Sequence, residues 1–320
     1  MKLPLISFIQ DLKNETNNLK YDYLKNWKGV FLWSNHFYGL CATLLSIETV
    51  LALLHQFPSL DTICVIYLST VLYYTHAYLN ETKQGVYNER TEWYQKHKKY
   101  FQIRQLILTI ILLYIFFFRL NFIELWVDVD YIVLGILFFS FLISILYYFP
   151  IHSRSTIAIR LVGLIKSVSI AWVWCITCCL APILLTERVT HHIHILTPHF
   201  ILYFFQLFIF IFILTILFDI KDMARDEEEV VNTIVLKYGI STTIRTLITP
   251  LALLYLILSF RIIDTLHQST IYLWAQFILI LILYVVITII QKIRQIHVNI
   301  LLIDGLMLLK AIIGILAATK

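Results

Sequence analysis

The sequence predicts an all-α polytopic membrane protein, a bundle of nine transmembrane helices, and three observations support this. Hydrophobic residues make up 60% of the 320-residue chain, and the mean hydropathy is +0.81. Charged residues make up only 14%, and they cluster between apolar runs. The runs are about 20 residues long, the length that crosses a bilayer as a helix, and they lack the alternation of a transmembrane strand. The runs therefore predict helices, which satisfy their own backbone hydrogen bonds in lipid.

The connections between the runs support the count of nine. Lys and Arg concentrate in the N-terminal segment and the even-numbered connections, whereas the odd-numbered connections are short, acidic or poor in basic residues. Because basic loops stay in the cytoplasm, this alternation predicts a cytoplasmic N-terminus and a C-terminus on the outer side, in the inner membrane if the source is bacterial. The predicted spans are 30–54, 61–79, 105–123, 131–150, 161–185, 198–218, 244–260, 270–290 and 299–317.

The chain is expected to comprise a short polar segment and one membrane domain. Residues 1–28 are basic and have no short apolar core followed by a small-residue cleavage site, so we expect a cytoplasmic or interfacial segment rather than a signal peptide. Residues 29–320 contain all the predicted spans without a linker rich in Gly, Ser or Pro. The net charge of +5 is modest, and no basic stripe is interleaved with aromatic residues, so we expect lipid and no nucleic acid as surroundings.

Two groups of residues have the types found in metal sites, but neither is expected to bind metal. The cysteines all lie in apolar runs, and the C-x-x-C pair at 175–178 has no second ligand pair, so they are expected to pack as small apolar residues. The histidine cluster has no carboxylate or cysteine companion and lies on the predicted outer side. The residues are Cys41, Cys64, Cys175, Cys178 and Cys179, and His191, His192, His194 and His199.

The segment most informative for function is FDIKDMARDEEEVVNTIVLKYG, residues 218–239, where the sixth predicted span ends. At about 100° per residue, Asp219, Asp222 and Asp226 fall on one face of a helix. Hard cations such as Mg²⁺ prefer oxygen ligands and bridge carboxylates to substrate phosphates. The metal then makes diphosphate a better leaving group, because it neutralises charge that develops as the C–O bond breaks. The alternative interpretation is a solvated acidic loop, which fits residues 227–229.

This segment resembles the second aspartate-rich motif of the UbiA superfamily of intramembrane prenyltransferases. The family pattern is D-x-x-D-x-x-x-D followed by T-[IL]-P-V-x-x-G. The present chain reads DIKDMARD and then TIVLKYG, with Thr233 and Gly239 at matching positions and Val235 where the family has proline. The resemblance implies a bundle of nine helices with two acidic motifs on the cytoplasmic face, after the second and sixth spans. In length and span order it covers nearly the whole chain beyond residue 29.

The first motif of the family, N-D-x-x-D-x-x-x-D, matches this chain less well. The best match is Asn80, Glu81, Gln84 and Asn88, so one acidic residue is replaced conservatively and two are amides. Neutral amides hold Mg²⁺ less strongly than carboxylates, which weakens one of the two implied metal positions. A shifted register, with His76 and Asn80 lining the pocket, is the alternative.

The resemblance implies that Asp219, Asp222 and Asp226 are catalytic and metal-binding, with Glu81 as a further metal ligand. A tyrosine and basic residues also follow the fourth span, as they do in the family. Arginine there would bind diphosphate in bidentate fashion, or would only determine topology. The residues expected to bind substrate are Asn35, Asn80, Glu81, Gln84, Asn88, Tyr148, Arg154 and Lys166.

Charged and polar residues inside spans need separate interpretations. Lys166 lies about one turn inside the fifth span, where it either snorkels to the interface or points into the cavity as a phosphate ligand. Asn35 is costly in lipid unless it faces protein or water, so we expect it to line a pocket. Asp304 and Lys310 are six residues apart, about 240° around a helix, so each is expected to face a neighbouring helix instead of pairing with the other.

The resemblance implies prenyl transfer from a polyprenyl diphosphate to an apolar or aromatic acceptor, with Mg²⁺ as cofactor. Aromatic residues, 15% of the chain, would shield the allylic carbocation. The alternative is a non-catalytic UbiA-like protein that binds lipid or a partner. The Gln84 and Asn88 replacements favour that alternative, and the three facing aspartates argue against it. A secondary transporter would need paired spans broken by Gly or Pro, and the chain has only eight Gly and six Pro.

Overall fold

The computed structural model describes residues 31–80, 89–120, 129–148, 163–186, 197–228, 233–266, 270–292 and 296–318. All regular secondary structure in these residues is helical. In chain order the helices are α1 His36–Leu54, α2 Leu60–Asn80, α3 Glu89–Lys96, α4 Lys98–Arg119, α5 Tyr131–Tyr148, α6 Gly163–Thr186, α7 Pro198–Glu228, α8 Ile234–Tyr238, α9 Ile240–Leu266, α10 Thr270–Ile290 and α11 Ile296–Ala318.

Each predicted span overlaps one of these helices. Eight helices in the described part of the chain are long and apolar enough to cross a membrane: α1, α2, α4, α6, α7, α9, α10 and α11. The fourth predicted span corresponds to α5, whose apolar stretch Tyr131–Tyr147 is shorter than the other eight. The short helices α3 and α8 lie in the connections that follow α2 and α7. The protein is therefore a polytopic α-helical membrane protein, as predicted.

Two boundaries differ from the prediction for identifiable reasons. The first span, predicted from residue 30, becomes a regular helix only at His36, because a turn at residues 34–35 places Asn35 in the left-handed region with φ of 67°. The sixth span, predicted to end at residue 218, continues as a helix to Glu228. Residues 218–228, called the acidic segment below, are therefore part of α7, so the three aspartates are held on one continuous helix.

The bundle has central and peripheral helices. In α1 and α7, 72% and 78% of the apolar window is buried, compared with 11% in α4 and 28% in α9. The peripheral helices expose large apolar side chains, for example Phe118 at 73% and Leu253 at 58% exposed. An apolar surface of this kind suits contact with lipid. The centre of the bundle is where polar side chains need partners from the protein itself.

A buried ion pair joins α1 and α11 inside the bundle. Lys310 Nζ lies 2.7 Å and 2.9 Å from the two carboxylate oxygens of Glu48, and the two side chains are 0% and 1% exposed. The Tyr203 ring of α7 lies 5.5 Å from Lys310 Nζ. A Cβ at Gly314 would overlap the Glu48 carboxylate, so glycine is required there for α1 and α11 to approach. Lys310 therefore faces a neighbouring helix and does not pair with Asp304.

Removing one charge of this pair is expected to destabilise the protein. Lys310→Met leaves the Glu48 carboxylate buried without a counter-charge, which costs about 3–5 kcal/mol. The double variant Glu48→Gln/Lys310→Met removes both charges and is expected to recover much of the loss. Thermal unfolding of the detergent-purified protein measures both effects. Lys292→Met is the control, since Lys292 is exposed. Equal destabilisation by Lys310→Met and Lys292→Met would contradict a stabilising ion pair.

Candidate functional site

The three aspartates of the acidic segment lie on the last turns of α7. Asp219 and Asp226 are 1% and 2% exposed. Lys166 of α6 binds both, with its Nζ 2.8 Å from Asp219 Oδ1 and 3.6 Å from Asp226 Oδ2. Ser167 donates a further hydrogen bond to Asp219, at 3.1 Å. Two of the three carboxylates therefore face α6, and Lys166 points into the bundle instead of snorkelling to the interface.

Asp222 has a different environment from the other two aspartates. Its side chain is 24% exposed, and its Oδ1 lies 3.1 Å from Nζ of the adjacent Lys221. It is displaced from Asp219 by about 60° around the helix, at the edge of the face that contacts Lys166. Asp222 is therefore the most accessible of the three aspartates to a ligand.

The segment after the acidic residues forms the short helix α8. The Thr233 hydroxyl accepts a hydrogen bond from the Leu236 amide, at 3.3 Å, and so caps this helix. Val235, at the position of the family proline, is fully buried in the apolar core. Gly239 follows with φ of 79°, a conformation that other residues rarely adopt. The polar and glycine positions of TIVLKYG thus have local structural roles that account for their residue types.

The acidic segment has the donor chemistry of a divalent-cation site. Carboxylate oxygens are the ligands that Mg²⁺ prefers, and three of them lie within two turns of α7. In the described ranges, no three His, Cys, Asp or Glu side chains are close enough together to hold a metal ion. The Lys166 ammonium instead contacts both Asp219 and Asp226. Binding a cation at this face would require Lys166 to move away from at least one carboxylate.

A second polar cluster forms where α1, α2, α3 and α4 meet, and Asn35 lies at its centre. Asn35 Nδ2 donates to the hydroxyls of Thr75 at 3.1 Å and Tyr94 at 2.8 Å. Its Oδ1 accepts a hydrogen bond from Arg90. Arg104 of α4 donates to Thr75 at 3.0 Å and to the Ser34 carbonyl at 3.2 Å. Asn35 was expected to line a pocket; it is fully buried, and its polar atoms bind other residues of the protein.

Arg90 is the cation that holds this cluster together. Its guanidinium is 3% exposed and donates to the Tyr78 hydroxyl at 3.0 Å and to two backbone carbonyls just before α1, at 3.2 and 3.3 Å. It also stacks 4.0 Å from the Tyr78 ring centroid. Burial alone would lower the pKa of Arg90, but the hydroxyls of Tyr78 and Tyr38 outweigh it and raise the pKa above its ordinary value. Arg90 therefore stays charged.

Aromatic side chains line the interior between α1, α2 and α6. The rings of Tyr38 and Tyr74 stack with centroids 4.7 Å apart. The Trp174 indole of α6 donates to the Tyr74 hydroxyl at 2.8 Å. The Arg90 guanidinium lies 5.6 Å from the Tyr38 ring centroid, which places the aromatic stack beside the arginine cluster. Electron-rich rings in this position suit a ligand that is apolar or carries positive charge.

Asp304 of α11 is a further acidic residue inside the bundle. It is fully buried. The described residues form no close hydrogen bond to its carboxylate oxygens, but the Tyr38 side chain acts on the carboxylate as a hydrogen-bond donor. The charged and polar groups that act on it are Lys221, beside the acidic segment, and Tyr38 and Arg90, in the second cluster. Sequence reasoning noted Asp304 as a charge inside a span but assigned it no role. The same reasoning missed Arg90 and Arg104, which it counted only as topology determinants.

Several predicted site residues lie outside the part of the chain that the structure describes. The alternative residue His76 is exposed on α2, whereas its neighbour Thr75 is buried in the second cluster. His199 is exposed at the start of α7, and the described cysteines form no disulfide. The residues not described, or whose side chains are not described, are Asn80, Glu81, Gln84, Asn88, Tyr148, Arg154, His191, His192 and His194.

Comparison of the chain with protein-family models, curated proteins and solved structures finds no match in any of the three. The fold and the two polar clusters define a polytopic helical membrane protein with charged groups in its interior. The resemblance to the UbiA superfamily rests on the residues quoted above and stays a prediction.

Arg90 is expected to be indispensable to the second cluster through its geometry as well as its charge. Arg90→Lys keeps the charge but cannot reach Asn35, Tyr78 and the two carbonyls together, so we expect a loss of about 2–4 kcal/mol. The matched control is Arg119→Lys, because Arg119 is 58% exposed and its pair with Asp61 is expected to contribute less than about 1 kcal/mol. Thermal unfolding measures the stability of both variants. A loss of stability in Arg90→Lys as small as that in Arg119→Lys would show that the branched hydrogen bonding of the Arg90 guanidinium is dispensable.

Proposed function

We propose that this protein is an intramembrane prenyltransferase that moves a prenyl group from a polyprenyl diphosphate to an apolar or aromatic acceptor. The observation that carries the proposal is the acidic face of α7, where Asp219 and Asp226 are buried at the end of an apolar helix. Carboxylates are costly in such a place and persist when they are paired or have a function. We infer prenyl transfer as that function from the resemblance of this segment to the second UbiA motif.

Within this proposal, Mg²⁺ would be held by Asp219, Asp222 and Asp226, with Glu81 as a further ligand, and would neutralise charge on the departing diphosphate. Asp222 is the first contact, because it is the most exposed of the three. Ser167 orients Asp219, and Lys166 can turn from the carboxylates to the diphosphate oxygens as a charged hydrogen-bond donor. Arg154 would be a second cation for the diphosphate.

The aromatic interior between α1, α2 and α6 suits the prenyl chain and its cation. The Tyr38 and Tyr74 stack and the Trp174 indole lie on the central side of α1, α2 and α6. Their π-faces would stabilise positive charge on the allylic carbon by about 0.5–2 kcal/mol for each contact. Enclosure by the bundle keeps water away from that carbon, so that the acceptor attacks it instead.

The second candidate function is that of a non-catalytic UbiA-like protein that binds a lipid or a partner. The observation that favours it is that Lys166 already contacts two of the three carboxylates. An acidic face whose charge is partly neutralised by the protein itself has less need of a metal. The amides Gln84 and Asn88 in the first motif point the same way.

The proposed topology has nine crossings, with α5 as the fourth and the N-terminus in the cytoplasm. An odd number of crossings puts the termini on opposite sides of the membrane, whereas the eight longer helices alone would put them on the same side. We expect a tag at the N-terminus to be protected in intact cells or spheroplasts and a tag at the C-terminus to be accessible to protease. Equal accessibility of the two tags would exclude nine crossings.

Metal-dependent substrate binding tests the enzymatic proposal directly. We expect the purified protein to bind a non-hydrolysable prenyl diphosphate analogue only with Mg²⁺, and Asp222→Asn to weaken this binding by about tenfold or more, because it removes a charged ligand. The matched control is Asp264→Asn, since Asp264 is exposed at the opposite end of the bundle. Absence of binding to the unaltered protein would leave the non-catalytic candidate.

A further inference from the structure

The Lys166 ammonium lies between two buried carboxylates at the end of α7. Its Nζ is 2.8 Å from Asp219 Oδ1 and 3.6 Å from Asp226 Oδ2, and the two aspartate side chains are 1% and 2% exposed. The hydroxyl of the adjacent Ser167 donates a hydrogen bond to Asp219 Oδ2, at 3.1 Å. Both carboxylate oxygens of Asp219 therefore already accept a hydrogen bond from α6.

These contacts occupy the position that a divalent cation would need. A cation that binds Asp219 and Asp226 has to approach the same oxygens as the ammonium, and like charges repel strongly in a buried site. Lys166 also neutralises part of the negative charge that attracts a cation, and Lys221 does the same for Asp222, at 3.1 Å. Lys166 therefore competes with a divalent cation for the acidic face of α7, which the three aspartates form.

Lys166 is the part of this arrangement that can move. It lies three residues from the start of α6, and its side chain is 15% exposed, whereas both aspartates are enclosed. A lysine is a point charge on a flexible four-carbon stem, so its ammonium can turn to a new partner while the helix stays in place. An anion with several phosphate oxygens is such a partner, because it accepts charge-assisted hydrogen bonds in place of the carboxylates.

We propose that Lys166 is an autoinhibitory cation, which excludes divalent cations from the acidic face until the diphosphate of the substrate draws its ammonium away. The release by diphosphate rests on the function proposed above, whereas the exclusion of the cation does not. Coupling between two ligands is reciprocal, so the cation and the diphosphate each raise the affinity for the other by the same factor, typically about 5–150-fold. The acidic face therefore binds the two ligands together and holds little cation when substrate is absent.

The affinity for Mn²⁺ in the absence of diphosphate tests the exclusion. Mn²⁺ stands in for Mg²⁺ because it prefers the same oxygen ligands and is detected by electron paramagnetic resonance. The protein is the full chain in nanodiscs of phosphatidylcholine, a lipid without net charge. We expect Lys166→Met to bind Mn²⁺ at least about tenfold more tightly than the unaltered protein, because the competing charge is gone. Lys166→Arg keeps that charge and is expected to stay within about twofold of the unaltered protein.

The matched control is Lys237→Met, because Lys237 is exposed on α8, the short helix that follows the acidic segment, and its loss changes the net charge equally. This variant is expected to leave the Mn²⁺ affinity within about twofold, since exposed charges are screened. The double variant Lys166→Met/Asp219→Asn is expected to lose the gained affinity, because a buried carboxylate ligand is gone. Lys166→Gln keeps a hydrogen-bond donor for Asp219, so it provides the same test if Lys166→Met does not fold.

Equal Mn²⁺ affinity in the unaltered protein, Lys166→Met and Lys166→Gln overturns the exclusion, and so does an equal gain in Lys237→Met. If these variants show no gain but the unaltered protein binds the prenyl diphosphate analogue with Mg²⁺, prenyl transfer stands and the exclusion is wrong. If the analogue does not bind but Lys166→Met gains Mn²⁺ affinity, prenyl transfer is wrong and the exclusion stands.

The release by diphosphate is measured with the same analogue. We expect the analogue to raise the Mn²⁺ affinity of the unaltered protein at least about tenfold and that of Lys166→Met by a smaller factor, because in the variant no ammonium has to be displaced. An equal factor in the two proteins overturns the release.

Discussion

Lipid offers no hydrogen bonds, so every polar side chain that lies between the ends of a span has to find its partner inside the bundle. The described part of this chain meets that constraint with contacts between helices. Glu48 of α1 pairs with Lys310 of α11, and Lys166 of α6 pairs with Asp219 of α7. These contacts link the central helices to each other, so the same residues that would be costly in lipid determine which helices pack together and in what register.

The two charged regions of the bundle differ in how far this requirement is met. Near the start of α7, the Glu48–Lys310 pair is closed to a ligand, because both side chains are fully enclosed and two hydrogen bonds join them. Near the end of α7, Asp222 is partly exposed and pairs with a neighbour on its own helix. The first arrangement is suited to stability and the second to binding. The difference explains why the candidate site lies at one end of the bundle, although charge is buried at both.

The helices were predictable because hydrophobicity over about 20 residues reflects a single cause, the thickness of the bilayer. The shared face of Asp219 and Asp226 was predictable for a similar reason, since the helical period alone determines it. The contacts of Lys166 and Arg90 were not predictable, because they join residues far apart in the chain through tertiary packing. α3 was missed because Glu89–Lys96 is a polar helix with no apolar periodicity, stabilised by the burial of Trp93 and Tyr94 against Phe101.

Charge balance in the acidic segment bears on the choice between an enzyme and a binding protein. Lys166 pairs with both Asp219 and Asp226, and Ser167 donates to Asp219, so contacts within the bundle account for these two carboxylates and they fit either function. Folding alone does not account for Asp222, which is partly exposed and pairs with a neighbour on its own helix. Carboxylates that do not contribute to packing are retained at a cost. Asp222, at the accessible edge of the acidic face, is therefore the carboxylate whose role distinguishes an enzyme from a binding protein.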